Sequence, residues 1–263
     1  MVPYLSNRRI FLSNRKTFYA MSLYLKISAN FRTGATLPTI EEQYHDLWQM
    51  ASTLEKIGLP IDDWCTPAQT PANARLNAAF TAAGTTEAAL ALARADEGDT
   101  AKELRTIAIW NGKNDVGGAT LITTYNSGRI PSNLRLSEES IPAFSDYEHV
   151  VQIVRAIVEI WEPMLVKVTP WGYPERQVFK DRPPVGWMIY LPFELTSNQI
   201  PEAAKLVAIG DTRKKGNAGT LVISTTDVFD IDNQEHVNNA NAIETRLVDQ
   251  DLLPTFREFV IRF

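Results

Sequence analysis

Apolar and polar side chains alternate over residues 22–31, and this period of two predicts a strand that is buried on one face. The period then lengthens. Thr39 and Glu42 have the spacing of a capping box, and apolar residues recur at helical spacing beyond them. A helix is therefore predicted from Thr39 to about Ile57, where Gly58 supplies a C-terminal cap.

The next part of the chain mixes structure breakers with short patterned runs. Three prolines predict an irregular loop over residues 58–75, and an alanine-rich stretch predicts a helix over residues 72–95 that is interrupted at Gly84. Asn-Gly and Asn-Ser-Gly turn signals separate three strands that follow. These strands are predicted at residues 103–110, 118–125 and 133–136.

A second amphipathic helix is predicted after these strands. Ser145 or Asp146 supplies its N-cap, and its broad apolar face runs to Trp161, before Pro163 breaks the pattern. A last helix is predicted over residues 234–249. The strands between these two helices are predicted at residues 165–168, 186–191, 206–209 and 221–225.

The order of elements is strand, helix, strands, helix, strands, helix. Because strands and helices do not alternate one to one, the pattern favours an α+β fold over a doubly wound parallel sheet. No segment has the composition of a domain linker. We therefore expect a single domain over residues 21–263, with mainly antiparallel or mixed strands and about four helices.

The composition is that of a soluble globular protein, with 44% hydrophobic and 22% charged residues in a chain of 263. No apolar run reaches the ~20 residues that span a bilayer. The single cysteine, Cys65, cannot form an intrachain disulfide, which fits a reducing cytoplasm.

Charge divides the chain at about Met21. Residues 1–20 hold four basic residues and no acid, and we expect them to be a disordered basic arm or a mis-assigned start, with a transit peptide as the alternative. The net charge is −5 for the whole chain and −9 for residues 21–263, which have 22 basic and 31 acidic residues. This excess of acid argues against nucleic-acid binding and favours a basic protein partner.

The last third of the chain carries the most specific sequence signal. It contains Asp-Arg-Pro-Pro at 181–184, Gly-Trp-Met-Ile-Tyr-Leu-Pro at 186–192, Gly-Thr-Leu-Val-Ile-Ser-Thr-Thr-Asp at 219–227 and a helical stretch at 234–254. Together these segments resemble the immunity protein 52 family of bacterial toxin–immunity systems. The resemblance covers roughly residues 160–254, with weaker likeness in the first strand and in the helix after Leu37.

The resemblance implies an inhibitor that performs no chemistry. The family is generally paired with toxins of the restriction-endonuclease fold, often delivered by type VI secretion or polymorphic toxin systems. We therefore expect a cytoplasmic immunity protein that neutralises a nuclease toxin, encoded by a neighbouring gene, through a stoichiometric complex. It would need no cofactor, no metal and no membrane or nucleic-acid contact. The alternative is a small hydrolase or binding enzyme with an acidic pocket, and the neighbouring gene distinguishes the two.

Five residues in the resembling segment form a signature that we expect to be structural: Asp181, Arg182, Gly186, Trp187 and Tyr190. Arg182 is expected to fasten its loop through a bidentate pair with a carboxylate. The strand after it is expected to be buried on both faces, and Trp187 and Tyr190, three positions apart, to lie on opposite faces of it.

Four acidic residues are the candidate toxin-binding group: Asp227, Asp230, Asp232 and Glu235. Their alternation resembles the start of a calcium loop, but Glu235 and an asparagine stand where such a loop needs glycine and glutamate. We expect an exposed acidic turn instead, in which Asp232 or Asn233 caps the last helix.

Other possible sites lack the spacing that their chemistry needs. Residues 213–215 are basic and lie near glycines, but the P-loop spacing is absent. His45, His149 and His236 are far apart in sequence, and no Gly-x-Ser-x-Gly motif supplies a nucleophile. No catalytic residue and no metal ligand is predicted.

Overall fold

The computed structural model describes residues 24–96, 103–128, 130–210 and 218–258. These residues form one α+β domain around a contiguous apolar core, which confirms the predicted fold class. The strands are β1 (Tyr24–Phe31), β2 (Phe80–Thr81), β3 (Gly84–Thr85), β4 (Leu104–Trp110), β5 (Ala119–Asn126), β6 (Ser132–Glu139), β7 (Leu165–Pro170), β8 (Met188–Leu191), β9 (Lys205–Gly210) and β10 (Ala218–Ile223). The helices are α1 (Ile40–Glu55), α2 (Pro71–Ala74), α3 (Glu87–Asp96), α4 (Tyr147–Trp161) and α5 (Gln234–Asp249).

Eight strands form one antiparallel sheet in the order β4-β5-β6-β1-β7-β8-β10-β9. The first strand lies near its centre, where Ile27 pairs with Leu136 on one side and with Val168 on the other. The two halves of the sequence therefore meet across β1, since β4 to β6 lie on one side of it and β7 to β10 on the other.

The predicted helix starts are confirmed by their hydrogen bonds. Glu42 N donates to Thr39 Oγ1 at 3.1 Å and Thr39 N donates to Glu42 Oε2 at 2.7 Å, which completes the capping box. Asp146, rather than Ser145, caps α4. Asn233 caps α5. Each cap accepts from an amide that the first helical turn leaves without a partner.

The helix predicted over residues 72–95 is wrong in its middle. The chain there forms the short β2–β3 hairpin, and helix α3 begins only after Thr86, whose hydroxyl accepts a hydrogen bond from Ala89 N. Gly84 has φ 139°, a value that breaks a helix, and Phe80 is fully buried beside Tyr44 of α1. Tertiary packing of Phe80 thus overrides the helix propensity of the surrounding alanines.

Other boundaries also differ from the prediction; the strand predicted at 133–136 extends over Ser132–Glu139, and that predicted at 221–225 spans Ala218–Ile223. The loop over residues 58–75 contains α2 and a 3-10 turn at Ile61–Asp63. The strand predicted from Gly186 starts two residues later, because Gly186 has a left-handed φ of 58°.

Helices α1 and α4 cover one face of the sheet, which we call the helical face. Gln43 of α1 donates to Thr123 Oγ1 in β5 at 2.9 Å, and Trp161 of α4 donates to the Tyr125 hydroxyl at 2.8 Å. The inward residues of β1, from Leu25 to Phe31, are at most 2% exposed.

The opposite face is covered over β8 and β10. All four residues of β8 are buried, which is the double-sided burial predicted for this strand. The β7–β8 connection and α5 supply the second cover, and Asn239 of α5 donates to Ser224 O just after β10. Over β1 and β4 to β6 this face is half-buried or exposed, and we call that part the open face; Lys26 and Ser28 of β1 lie on it.

Candidate protein-binding site

The signature arginine fastens its loop, but not to a carboxylate as predicted. The Arg182 guanidinium donates to the carbonyl of Leu253, just after α5. Asp181 is exposed, and its carbonyl accepts from Phe256 N at 2.9 Å. These two hydrogen bonds tie the loop of Asp181 and Arg182 to the chain beyond α5. Both end on backbone carbonyls, which need donors once the fold takes them out of water.

Gly186 and Trp187 are fixed by close packing. A Cβ atom at Gly186 would lie 2.6 Å from Thr169 Cγ2, and its φ of 58° disfavours any side chain. Trp187 is fully buried, and its Nε1 donates to Thr225 O at 2.9 Å. The structure therefore places both residues where they hold β7, β8 and the end of β10 together.

Tyr190 occupies the other side of β8. Its ring lies over Gly219 of β10, where a Cβ atom would come within 2.4 Å of the ring. Tyr190 is 5% exposed. The Tyr190 side chain is thus buried, and position 219 must be glycine because any larger residue would collide with the tyrosine ring.

The candidate acidic residues surround the turn between β10 and α5. Asp227, Asp232 and Glu235 are exposed and Asp230 is half-buried. Asp230 Oδ1 accepts from Asp232 N at 2.8 Å, while Asp230 N donates to His236 Nδ1 at 3.0 Å. We call these four acids the acidic turn; the structure brings them together on the surface.

The acidic turn packs against the turn that follows β7. The Tyr173 and Phe229 rings make an edge contact at 5.4 Å, and Gly172 lies so close to Ile231 that a Cβ atom there would be 3.1 Å from Ile231 Cδ1. Next to this contact, Trp171 is 73% exposed. An exposed tryptophan beside a charged turn is typical of a protein-binding surface.

Trp171 also lines a pocket of about 470 Å³. Lys26 of β1 and Lys167 of β7 lie at its floor, Lys180 lines it, and Phe256, 47% exposed, forms a second aromatic wall. The Lys167 ammonium lies 5.9 Å from the centre of the Phe256 ring. We call this the cationic pocket.

The cationic pocket is the part of the surface that sequence reasoning missed. Its cations come from β1, β7 and the β7–β8 connection, more than a hundred positions apart at the extremes, so no basic run marks it. Trp171 follows β7 directly, and its exposure is decided by the fold, because an aromatic residue at a strand end is more often buried than exposed.

The histidines are used locally. His45 stacks on Trp48, His149 lies 3.1 Å from Ala143 O, and His236 accepts from the acidic turn. Among the described residues, no three His, Cys, Asp or Glu side chains converge as a metal site requires. The basic residues 213–215 and the segment 1–20 lie outside the described residues.

Comparison with known proteins assigns the family. The model of immunity protein 52 matches residues 41–256, most of the chain. The fold is similar to that of the Pseudomonas aeruginosa T6SS protein PA0821, with a TM-score of 0.53 and 13% sequence identity over 86% of this chain and 73% of that chain. No curated protein matches the sequence.

The described residues define an α+β protein with an exposed acidic turn. The chain belongs to the immunity protein 52 family. Membership makes it an immunity protein, a class that binds a cognate toxin. None of the described helices combines the length and apolar character that crossing a bilayer requires.

Proposed function

We propose that this protein neutralises a nuclease toxin, of the restriction-endonuclease fold and encoded by a neighbouring gene, by forming a stoichiometric complex in the cytoplasm. The family match over residues 41–256 carries this proposal. We infer that the toxin is a nuclease because the family is generally paired with toxins of that class. We also propose that the toxin is delivered by type VI secretion, since this protein shares its fold with a T6SS protein.

The charge of the chain supports a nuclease as the partner. A nuclease binds phosphates through basic groups, and residues 21–263 carry a net charge of −9. Opposite charges accelerate diffusional encounter, which matters for a protein that must reach the toxin before DNA is cut. DNase–immunity pairs, a standard example of near-limiting affinity, have Kd values of about 10⁻¹³ M or below.

The acidic turn is the part of the surface that we propose meets the basic groups of the toxin. Three of its four carboxylates are exposed, and they extend from a turn that is fixed by the capped start of α5. Carboxylates held in this way form charge-assisted hydrogen bonds with arginine and lysine at small entropic cost.

A titration of toxin activity distinguishes a stoichiometric inhibitor from an enzyme that acts on the toxin. The neighbouring toxin domain is purified, and its cleavage of plasmid DNA is measured as this protein is added in increasing amounts. Toxin activity that falls linearly and reaches zero at one equivalent supports a stoichiometric inhibitor. Loss of toxin activity at far below one equivalent would show that the protein acts as an enzyme on the toxin. No inhibition at any ratio would overturn the proposed function.

A further inference from the structure

The open face carries three cations side by side near the centre of the sheet. In the register of the strands, Ser28 of β1 pairs with Arg135 of β6 on one side and with Lys167 of β7 on the other. Lys26 lies one pleat further along β1, on the same face. The three positive groups therefore lie on adjacent strands within one small area.

The three cations, Lys26, Arg135 and Lys167, have no ion-pair partner among the described residues. Glu175 lines the rim of the cationic pocket and is exposed, and Lys180 donates to Pro174 O at 2.7 Å. Among the residues that line the cationic pocket, Glu175 is the one acid beside Lys26, Lys167 and Lys180, in a chain that is acidic overall.

This arrangement costs stability in the isolated protein. Like charges on neighbouring strands repel each other. Burial, together with Lys26 and Arg135, lowers the pKa of the Lys167 ammonium to about 8, and burial and Arg135 lower that of Lys26. Groups that destabilise the free fold in this way are typical of a surface whose compensating charge comes from a partner.

The aromatic groups around the cations have the geometry of a binding pocket. Trp171 is 73% exposed, rests edge-on against Tyr24 at 5.5 Å, and shares the rim with Phe256. Large exposed aromatics that surround a few fixed charges are the residues that dominate protein interfaces.

We propose that the cationic pocket receives an acidic side chain of the toxin, flanked by apolar residues that pack on Trp171 and Phe256. This inference rests on the proposed function and adds the cationic pocket to the acidic turn as a second contact region for the toxin. Trp171 joins the two regions, because the neighbouring Gly172 packs on Ile231 within the acidic turn. The partner would then present basic groups to the acidic turn and a carboxylate to the cationic pocket.

A protein carboxylate fits these observations better than nucleic acid does. A nucleic acid would place a run of phosphates along the surface, and the flanking acidic turn would repel it. The pocket offers a compact group of cations with aromatic walls, which matches one or two carboxylates within an apolar surface.

The test compares variants of the full chain by their toxin affinity and thermal stability. Lys26→Gln with Lys167→Met removes the two floor cations, and Trp171→Ala removes the aromatic rim. Lys56→Gln is the control for the loss of a cation elsewhere, since Lys56 is exposed at the end of α1, a helix that covers the helical face and not the open face. Dissociation of the toxin complex is followed by biolayer interferometry, and a fluorescent single-stranded DNA serves as the nucleic-acid probe.

We expect each pocket variant to weaken toxin binding about tenfold or more, mainly through faster dissociation, with Lys56→Gln unchanged. The lysine pair should leave the melting temperature unchanged or higher, which separates lost binding from lost folding. If wild-type protein binds the toxin and the pocket variants bind it equally well, this inference is overturned and the proposed function stands. Tight binding of the DNA probe that the variants lose would also overturn it. If wild-type protein does not bind the toxin, the proposed function itself fails.

Discussion

The carboxylate of Glu244, in the middle of α5, accepts a hydrogen bond from the backbone amide of Phe179 at 2.8 Å, across 65 positions of sequence. Glu244 is fully buried, and burial raises the pKa of its carboxyl above the ordinary value. The contact ties the last helix to the loop that carries Asp181 and Arg182. Glu244 is therefore a structural acid, whereas the acidic turn lies at the exposed start of the same helix.

Replacing Glu244 should test this tie. Glu244→Ala is expected to lower the free energy of unfolding by about 2–4 kcal/mol, because it leaves the Phe179 amide without its partner and opens a cavity. Glu244→Gln keeps a carbonyl acceptor and removes the buried charge, so it should cost less. Urea denaturation measures both, with Glu235→Gln on the same helix as an exposed control. Equal stability of Glu244→Ala and wild type would show that the contact contributes nothing.

Trp187 is expected to matter for folding rather than for recognition. Trp187→Ala should lower the free energy of unfolding by about 3–5 kcal/mol, as for other buried aromatics. Trp187→Phe keeps most of the packing and removes the hydrogen bond to Thr225 O, so it separates the two contributions. Calorimetry and near-UV circular dichroism give the measurement. A Trp187→Ala variant that folds normally and fails to bind the toxin would assign the residue to the interface instead.

Stability should fall as the pH rises from about 4.5 to about 7 because of Glu138. This residue is 2% exposed and accepts from Leu25 N at 3.0 Å and Ile141 N at 2.8 Å, and burial raises its pKa to about 7. Between these pH values the folded state binds more protons than the unfolded state, so unfolding becomes easier with rising pH. The loss is at most about 3 kcal/mol.

The variant Glu138→Gln isolates the contribution of the Glu138 carboxyl to the pH dependence of stability. Glu138→Gln should remove this part of the pH dependence and show a flatter curve of unfolding free energy between pH 4.5 and 7. It loses about 1 kcal/mol at low pH, since the amide group cannot accept from both backbone donors. Parallel curves for the variant and the wild type would contradict the buried, proton-holding role of Glu138.

The acidic turn should control the rate of association with the toxin. Changing its four acids to their amides is expected to slow association and to reduce its dependence on salt. The fold should survive, because the amide oxygen at position 230 can still accept from Asp232 N. Stopped-flow mixing at two salt concentrations measures the effect.

A control of equal charge change distinguishes the turn from net charge alone. The control changes four exposed acids elsewhere on the described surface: Glu55→Gln, Asp62→Asn, Glu87→Gln and Glu103→Gln. If both sets slow association equally, the toxin responds to the overall charge, and the assignment of the acidic turn is wrong.

The sequence by itself determined the elements whose signals are local. Thr39 and Glu42 are three residues apart, so their capping box forms wherever the helix forms, and α5 was predicted with both ends correct because its cap and apolar face lie within one segment. The strand around Leu25 follows from alternation, since one of its faces is buried, and local turn signals marked the strands around Leu121 and Leu134. The family resemblance added the class of protein, which neither composition nor spacing could supply.

Only the tertiary structure decided which residues meet. The β2–β3 hairpin replaces part of a predicted helix because Phe80 is buried beside Tyr44, a contact that local propensity does not contain. Arg182 donates to the backbone carbonyl of Leu253 and not to a carboxylate, because the fold places that carbonyl beside the guanidinium. Lys26, Arg135 and Lys167 belong to strands that are far apart in sequence, and strand register alone places them on one face. A charge pattern along the chain records none of this, because the sheet forms by pairing distant segments.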